Sequence, residues 1–353
     1  MAINLSSKSA DKLLKKCALK SSVLTGAFSE EYSFSGAKTV VVTTAQTVKM
    51  KDYKREGTNR YGMPEEMQDI TQELTLTQDK SYSLTVDKGN FKDQNYLKKV
   101  QDVIEIQNNV EAIPTRDRYC LAKASKTAGN IVGNSTALTK SNICERISTG
   151  TQALDDAEVP SENRTLFINA ANYKLLKLSP EFLGVETLAE KVLTKGYVGM
   201  YDDMKVVKVP KGRWPENVNF IIVQKSCATA PQKIAETKVH KDPPGISGNL
   251  VEGRNYYDFF VFGARCEGVY VEVDTSSDKG SVLKAPTIAA AGGAISGVSG
   301  ATYYYTTDGS DPRYSTTRLT GQPSSPEVGT IIKAYAEQAG KFPSPVAEME
   351  ITG

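Results

Sequence analysis

The hydrophobic and polar positions follow two different periods in the first part of the chain. Residues 38–55 and 73–90 alternate between polar and β-branched or aromatic side chains, which is typical of strands. They flank a polar, glycine-containing stretch, so the pattern predicts a long hairpin with a charged tip. From Asp93 to Gly129 apolar residues recur at helical spacing, interrupted or kinked at Pro114. This predicts a helix of about 30 residues, which is long for a globular protein.

Shorter elements follow that helix. A second amphipathic helix is predicted from about Thr139 to Ala157, before Val159-Pro160. The segment around His240 is polar and ends in two prolines and a glycine, which predicts a loop. The other predicted elements are a buried strand at 164–168, a helix ended by Pro180, a hairpin over 196–210 with its turn at Asp202-Asp203, a buried strand at 219–224, and a pair of aromatic strands at 253–274 turned at Gly263 to Gly268.

The pattern changes again near Asp278. Residues 281–353 carry few charges and are rich in glycine, alanine, serine, threonine and proline, with no helix-period run. Short β-prone segments at 301–312, 329–337 and 345–353 are separated by turn signals. This spacing predicts a small antiparallel sandwich.

Together these elements predict an α+β chain of four parts. The parts are an N-terminal arm at 1–37, an extended hairpin at 38–92, a body with the long helix at 93–277, and a β module at 281–353. An isolated two-stranded hairpin is marginal in water, so a long polar hairpin needs a partner to lie on. We therefore expect copies of this chain to assemble with one another.

Charge and hydropathy narrow the classes of function. The 353 residues include 43 Lys and Arg against 41 Asp and Glu, a net charge of +2, which argues against a nucleic-acid binder as a description of the whole chain. No apolar run reaches the ~18 residues of a membrane span, and no apolar signal-peptide core is present. We therefore expect a soluble protein made in a cytoplasm-like compartment. The local exception is the basic face of the arm, formed by Lys8, Lys12, Lys15 and Lys16. It is a candidate DNA contact, while a solvated terminal segment or an arm that runs along neighbouring subunits stays open.

The residue types and motifs on which enzymes depend are sparse. The five cysteines have no CxxC spacing, and His240 is the only histidine. Motifs for phosphate loops, dinucleotide binding, zinc proteases and serine hydrolases are absent. The adjacent carboxylates Asp155-Asp156 and Asp202-Asp203 do not converge as a glycosidase or metal pair would. The sequence therefore predicts a protein that is not an enzyme and binds neither cofactor nor metal.

Two groups of side chains are candidates for contacts. The aromatic cluster Tyr256, Tyr257, Phe259 and Phe260 is expected in a core or in a contact between subunits. The hairpin tip is expected to reach a neighbouring subunit. Its candidate residues are Lys54, Arg55, Arg60, Tyr61, Glu65 and Glu66.

The order of the elements resembles that of the major capsid protein of tailed bacteriophages, of the Hong Kong 97 type. The most specific matches are LDDAEVPSENRTLFINAANYKLL at 154–176, the hairpin at 196–210, and GRNYYDFFVFGARCEGVY at 253–270, within a likeness that spans 38–274. The resemblance implies an N-terminal arm, an extended hairpin loop, a long spine helix, and peripheral and axial domains.

The resemblance also implies a function. Copies would form the hexamers and pentamers of an icosahedral shell that encloses double-stranded DNA and contacts it non-specifically. Separate scaffolding and portal proteins are implied as partners, and no membrane is. We expect a virion protein that assembles in the cytoplasm of a bacterial host.

The C-terminal segment resembles a different group. ATYYYTTDGSDP at 301–312 and GTIIKAYAEQAGKFPSPV at 329–346 are similar to the immunoglobulin-like module at the C-terminus of some bacterial chitobiases and surface proteins. This implies a module displayed on the outer surface of the shell, with contact to a glycan or a cell surface left open. The candidate residues of this surface are Asp308, Gly309 and Asp311 in the turn. We expect removal of the module to leave shell assembly intact.

Two other functions stay open at this point. A nanocompartment shell protein of the encapsulin type shares the fold but encloses cargo proteins, so the contents of the particle separate the two. A secreted glycan-binding or glycan-active protein is suggested only by the C-terminal module. It would require a signal sequence and a converging carboxylate pair, and the sequence shows neither.

Overall fold

The computed structural model divides into two compact units. The described residues are 21–32, 34, 38–45, 50, 52–62, 64, 69–89, 100–180, 199–276 and 280–352. The main unit contains the described residues up to Lys38, together with those of Leu76–Val261 and Arg265–Ser281. The second unit contains Thr39–Thr75, Phe262–Ala264 and Val282–Gly353. The second unit thus joins the hairpin to the C-terminal module, two parts that the sequence analysis separated.

The described α-helices all lie in the main unit beside strands, whereas the second unit is built of strands, and this mixture confirms the α+β class. The helices are α1 (Val100–Gln107), α2 (Ile113–Thr127), α3 (Ile143–Asp156) and α4 (Ala170–Lys177). The strands are β1 (Thr39–Ala45), β2 (Asp69–Thr75), β3 (Gln78–Asp87), β4 (Asn130–Asn134), β5 (Arg164–Asn169), β6 (Met200–Tyr201), β7 (Met204–Val209), β8 (Val218–Gln224), β9 (Ala228–Thr229), β10 (Gln232–Lys241), β11 (Gly248–Tyr257), β12 (Phe260–Val261), β13 (Val269–Asp274), β14 (Thr287–Ile288), β15 (Ile295–Ser296), β16 (Thr302–Thr306), β17 (Leu319–Thr320), β18 (Ile331–Glu337) and β19 (Ala347–Glu350).

The long predicted helix continues through its proline rather than stopping at it. α1 leads into a π-helical turn at Asn108–Ala112 and then into α2, which has Pro114 in its first turn. In the π-helical turn the Ile113 N–H donates to the Asn108 carbonyl, five residues earlier. A proline has no N–H for the usual bond four residues back, and the wider turn accommodates it. The predicted start at Asp93 lies outside the described residues.

The end of α2 depends on a glycine. Ala128 leaves the helix with extended backbone angles, and Gly129 follows as the sequence predicts. The Gly129 N–H donates to the Cys266 carbonyl at 3.1 Å. A Cβ at position 129 would lie 2.1 Å from that same oxygen, so only glycine permits the approach.

The core of the main unit is a six-stranded mixed sheet of order β4-β13-β8-β5-β7-β6. β8 and β13 are interior strands buried along almost all of their length, which explains why apolar residues fill most of their positions. α3 and α4 pack on the sheet, where Ile147, Leu154 and Leu176 join Phe220 and Ile222 in one buried cluster. The helix predicted from about Thr139 is confirmed as α3, and the predicted strands at 164–168 and 219–224 are β5 and β8.

The predicted turn at Asp202-Asp203 is also confirmed. It joins β6 to β7, where Tyr201 pairs with Met204. Asp202 and Asp203 have positive φ angles of 51° and 58°, a conformation that aspartate tolerates better than most residues. Both are exposed turn residues. The part of the predicted hairpin before Gly199 lies outside the described residues.

The second sheet of the main unit, of order β10-β11-β3, corrects the loop predicted around His240. His240 lies in β10 opposite Leu250 of β11, and the chain turns only after Lys241. β10 is an edge strand that is mostly exposed to water, so polar residues fill it and conceal the strand pattern.

The aromatic strands predicted as a pair at 253–274 do not pair with each other. β11 pairs with β3 and β10, whereas β13 pairs with β4 and β8. A 3-10 segment at Gly263–Gly268 stands between them in sequence where a tight turn was expected. Of the aromatic cluster, Tyr257 and Phe259 are buried in the core, as one of the two expected placements requires.

The predicted second arm of the hairpin also divides between two sheets. β2 pairs with β1 in antiparallel register, from Thr39 opposite Thr75 to Ala45 opposite Asp69. β3 continues the same alternating pattern but pairs with β11. The hairpin itself is therefore shorter than the predicted range, because the chain changes partners at Leu76-Thr77.

The C-terminal part of the second unit has its own core. A four-stranded antiparallel sheet has the order β17-β16-β18-β19, and β14 pairs with β15. Ile288 and Ile295 from the pair meet Tyr305 and Ile332 from the sheet in one buried cluster. The predicted strand segments are confirmed as β16, β18 and β19, and the likeness to an immunoglobulin-like fold stays a prediction.

Candidate assembly surfaces

The described tip of the hairpin exposes aromatic and cationic side chains together. Tyr53 is 51% exposed and Tyr61 is 86% exposed, and their ring centroids lie 5.0 Å apart in an edge-to-face arrangement. Lys54, Arg55 and Arg60 are exposed as well. Tyrosine and arginine are enriched in protein interfaces, and aromatic groups clustered in water are typical of surfaces that another molecule covers.

Local hydrogen bonds hold the tip in one turn. The Lys54 N–H donates to the Arg60 carbonyl at 3.0 Å, and the Arg60 Nε donates to the Gly57 carbonyl at 3.2 Å. Gly57 and Asn59 have positive φ angles of 84° and 59°, which glycine and asparagine adopt more readily than other residues. A surface that is already formed loses less conformational entropy when a partner binds it.

A buried carboxylate in the main unit holds the chain where it leaves β2. Asp258, between β11 and β12, is fully buried. It accepts hydrogen bonds from the Thr77 N–H at 2.9 Å, the Thr77 hydroxyl at 2.8 Å and the Tyr119 hydroxyl at 2.8 Å. The Lys123 Nζ and the Phe259 N–H donate at 2.5 Å and 2.7 Å. We call α1, the π-helical turn and α2 the spine helix. Since Tyr119 and Lys123 belong to α2, one carboxylate joins the spine helix to Thr77, the residue at which the chain has left β2 and which we call the root.

The surroundings of Asp258 keep it ionised. Burial by itself would raise the pKa of Asp258, but the Lys123 ammonium, the Phe259 N–H and the Thr77 hydroxyl together hold that pKa below its ordinary value. Burial, together with the Asp258 carboxylate, raises the pKa of Tyr119 to about 12. At neutral pH the carboxylate is therefore charged, and Tyr119 keeps the proton that it donates.

A second buried carboxylate, this one on the spine helix, is bonded to the first described residues of the chain. Asp117 of α2 is fully buried and accepts from the Ser22 hydroxyl at 2.5 Å and the Val23 N–H at 3.1 Å. Arg213 donates to Asp117 at 2.7 Å and to the Ser21 carbonyl at 3.1 Å. The spine helix is thus bonded to residues 21–23 through Asp117, and to the carboxylate that holds Thr77 through Tyr119 and Lys123.

A third buried network ties α3 to the six-stranded sheet. The Arg146 guanidinium donates to both carboxylate oxygens of Glu272 and, at 2.9 Å, to the Thr136 carbonyl. The Asn219 amide also donates to Glu272, at 3.0 Å. A buried ion pair is tolerated only when its remaining donors and acceptors are bonded in this way. We assign this network to the stability of the fold.

The described residues offer little for metal binding or thiolate chemistry. They contain no group of three or more His, Cys, Asp or Glu that could hold a metal ion. His240 is half-exposed and lies 3.3 Å from Glu252 of the adjacent strand. Burial raises the pKa of the Cys120 thiol to about 12, the opposite of what a reactive thiolate needs. No described helix combines the length and apolar character that a membrane crossing requires.

The predicted contact residues of the C-terminal turn are bonded within their own loop. The Asp308 carboxylate accepts from the N–H of Ser310 at 2.9 Å and from its hydroxyl at 2.5 Å. Asp311 pairs with the Arg313 guanidinium at 2.7 Å, and Gly309 supplies a positive φ of 76°. Both carboxylates therefore shape the loop.

Two groups of predicted contact residues lie outside the described residues, and their roles stay predictions. They are Lys8, Lys12, Lys15 and Lys16 of the arm, and Glu65 and Glu66 of the tip.

Sequence reasoning missed the residues that hold the arm and the hairpin. Asp258 is a lone acid inside the aromatic run 256–260. Asp117 stands between two arginines in sequence, but it shares a helical face with Cys120 and Leu121, three and four residues later. An acid in such a place is rarely buried without a partner, and that signal could have marked both. Their partners Thr77 and Arg213 lie far away in sequence, and no local pattern points to them.

The fold has counterparts among solved structures, although no family model and no curated protein matches this sequence. A chain from Mycobacterium phage Che8 matches with a TM-score of 0.64 and 19% identity, over 77% of this chain and 97% of that one. The asymmetric unit of the bacteriophage PhiM1 mature capsid matches with a TM-score of 0.59 and 13% identity, over 76% and 92%. This chain has the fold of phage capsid structures.

The head structure of Helicobacter pylori bacteriophage KHP40 has the same fold, with a TM-score of 0.58 and 9% identity over 77% of this chain and 95% of that one. The resemblance inferred from the order of elements is confirmed at the level of the phage capsid fold. The identities are low, so the surfaces described above are argued from this chain's own residues.

Proposed function

We propose that this chain is the major capsid protein of a tailed phage and that its copies form the hexamers and pentamers of an icosahedral shell around double-stranded DNA. The observation that carries the proposal is the phage capsid fold, which matches 92–97% of the length of three phage chains. The role is structural and involves no catalysis.

The hairpin supports a shell role on physical grounds. A ring of subunits repeats one head-to-tail contact, so each copy must present two different surfaces. We call the surface that reaches the next copy the donor surface, and the surface that receives it the acceptor surface. The tip, with Tyr53 and Tyr61 exposed and its turn preformed, has the properties of a donor surface. The Asp258 network anchors the chain at the hairpin's root within the same subunit.

Further partners follow from the same proposal. The net charge of +2 lets like subunits pack with little mutual repulsion. The arm lysines contact packaged DNA non-specifically or run along neighbouring subunits. Separate scaffolding and portal proteins complete a virion that assembles in the host cytoplasm.

The C-terminal module is proposed as an addition displayed on the outside of the shell. The matched structures account for 76–77% of this chain and for nearly all of their own length. The share of this chain that they leave unmatched is close to the size of segment 281–353. A contact of this module with a glycan or a cell surface belongs to the same proposal.

Assembly of the full-length chain tests the proposal. We expect purified protein, alone or with a scaffolding protein, to form closed polyhedral particles visible by electron microscopy and light scattering. The double variant Tyr53→Ser, Tyr61→Ser should remain a folded subunit and fail to close shells. The matched control is the double variant Leu319→Ser, Val328→Ser, which alters exposed apolar residues of the module and should assemble normally.

Two outcomes would contradict the proposal. A wild-type chain that stays a monomer under every assembly condition would overturn it. Normal shells from the tip variant would leave the hairpin without its proposed role. Particles isolated from the source organism decide the contents, because protected double-stranded DNA supports a capsid whereas enclosed protein supports a nanocompartment.

A further inference from the structure

The loop that carries the predicted turn of the module is held in one shape by its own residues. We call Asp308–Thr317 the brace loop. The Asp308 carboxylate accepts from the Thr317 hydroxyl at 2.6 Å, nine residues along the chain. The N–H groups of Tyr314 and Ser315 donate to the Asp311 carbonyl at 3.1 Å and 3.0 Å. A loop closed by these bonds presents its side chains in fixed positions.

Tyr314 of the brace loop packs closely against a glycine from a distant part of the chain. A Cβ at Gly263 would lie 2.9 Å from the Cβ of Tyr314 and 3.3 Å from its Cγ. The Arg313 guanidinium lies 5.3 Å from the centroid of the Tyr314 ring, which favours the same ring position. The missing side chain at Gly263 therefore makes room for this tyrosine.

The same glycine contacts the hairpin. The Gly263 N–H donates to the Gln72 side-chain oxygen of β2 at 2.8 Å. The neighbouring Thr71 hydroxyl lies 3.4 Å from the Thr316 hydroxyl of the brace loop. Consecutive side chains of a strand point to opposite faces, so these contacts engage β2 on both of its faces.

We infer that the C-terminal module is an internal support for the hairpin, in which Tyr314 and Thr316 of the brace loop hold strand β2 directly and through Gly263. A two-stranded ribbon is marginal in water, and contacts on one of its strands order it before any neighbour arrives. Asp308 and Asp311 then serve this support, because they close the loop that carries Tyr314 and Thr316.

The support has a consequence for assembly, and this consequence rests on the proposed function. A hairpin that is ordered in the free subunit costs less entropy to dock than one that must be ordered during docking. The inference departs from the sequence expectation that removal of the module spares assembly. Without the module, shells should form more slowly or at higher protein concentration.

Hydrogen exchange of the full-length soluble subunit, read by mass spectrometry, tests the support itself. Two variants alter the contact between Tyr314 and Gly263, one from each side. Tyr314→Ala removes the ring, and Gly263→Ala adds a side chain where the ring packs. We expect amides of β1 and β2 to exchange about ten-fold faster or more in each variant. Amides of β16 and β18 report whether the module stays folded. The control variant Val328→Ala, at an exposed position of the module, should exchange like wild type in β1 and β2.

Unchanged exchange in β1 and β2 in both variants, with β16 and β18 still protected, would overturn the inference. If Tyr314→Ala unfolds the module, Gly263→Ala decides, because it leaves every module residue in place. Shell formation by the same proteins is measured separately. Failure of the wild-type chain to assemble would count against the proposed function, whereas the exchange data alone decide the internal support.

Discussion

The two ends of the hairpin place their side chains in opposite environments. At the root, Asp258 is fully buried, and Thr77 and Tyr119 are among the donors to its carboxylate. At the tip, Tyr53 and Tyr61 stand largely in water. Removal of one partner from a buried and fully bonded charge destabilises the subunit that contains it. An exposed aromatic surface, in contrast, gains free energy only when another molecule covers it. The contrast separates residues that fold the subunit from residues that we propose join subunits.

Removal of the buried carboxylate should have the largest effect. Asp258→Ala leaves Lys123 and Tyr119 without their acceptor, and we expect a loss of about 3–5 kcal/mol in the free energy of unfolding. Urea denaturation followed by circular dichroism measures it. The matched control is Asp79→Ala, which breaks an exposed pair with Arg254 and should cost far less because water screens that pair. Equal losses in the two variants would contradict the assignment of Asp258 as the anchor.

Removal of one donor should have a smaller effect. Tyr119→Phe keeps the ring and deletes the hydroxyl that donates to Asp258, so we expect a loss of about 1–3 kcal/mol in the free energy of unfolding. Tyr53→Phe makes the same chemical change at the exposed tip and should leave stability unaltered. A pair of variants with the same denaturation midpoint would show that the root and the tip do not differ as described.

Low pH should reduce the free energy of unfolding by protonating Asp258. Because the pKa of Asp258 is lower in the folded chain than in the unfolded chain, the unfolded state binds more protons at acid pH. The stability that this adds is fully present above about pH 4 and is lost as the pH falls through the lowered pKa. Asp258→Asn should abolish this part of the pH dependence of the denaturation midpoint. If the denaturation midpoints of wild type and variant fell in parallel as the pH is lowered, Asp258 would not be the source of this pH dependence.

Neutralising the tip should have the smallest effect on the subunit. The double variant Lys54→Gln, Arg55→Gln removes two exposed cations, and we expect a change below about 0.5 kcal/mol in its free energy of unfolding. Assembly followed by light scattering should slow and become less sensitive to salt, because charge steers the encounter of subunits. Lys140→Gln with Lys341→Gln, also exposed cations, is the control that should assemble as wild type does. Identical salt dependence of assembly in the wild type, the tip variant and the control would show that the tip charges do not contribute to the assembly step.

Elements whose signal is local were predictable from the sequence. The spine helix up to Gly129, the buried strand β8 and the turn at Asp202-Asp203 follow from the spacing of apolar residues and from turn chemistry within a short window. The hairpin and the order of elements were predictable for the same reason. That order was enough to indicate the phage capsid fold.

The tertiary structure alone decided which surfaces meet. β2 and β3 carry one continuous alternating pattern, yet they pair with different partners. His240 lies in an edge strand whose polar residues conceal the alternating pattern of a strand. The partners of Asp258, and the contact of Tyr314 with Gly263, join segments far apart in sequence. Strand partners and buried polar contacts depend on long-range register and packing, and a period along the chain carries no information about either.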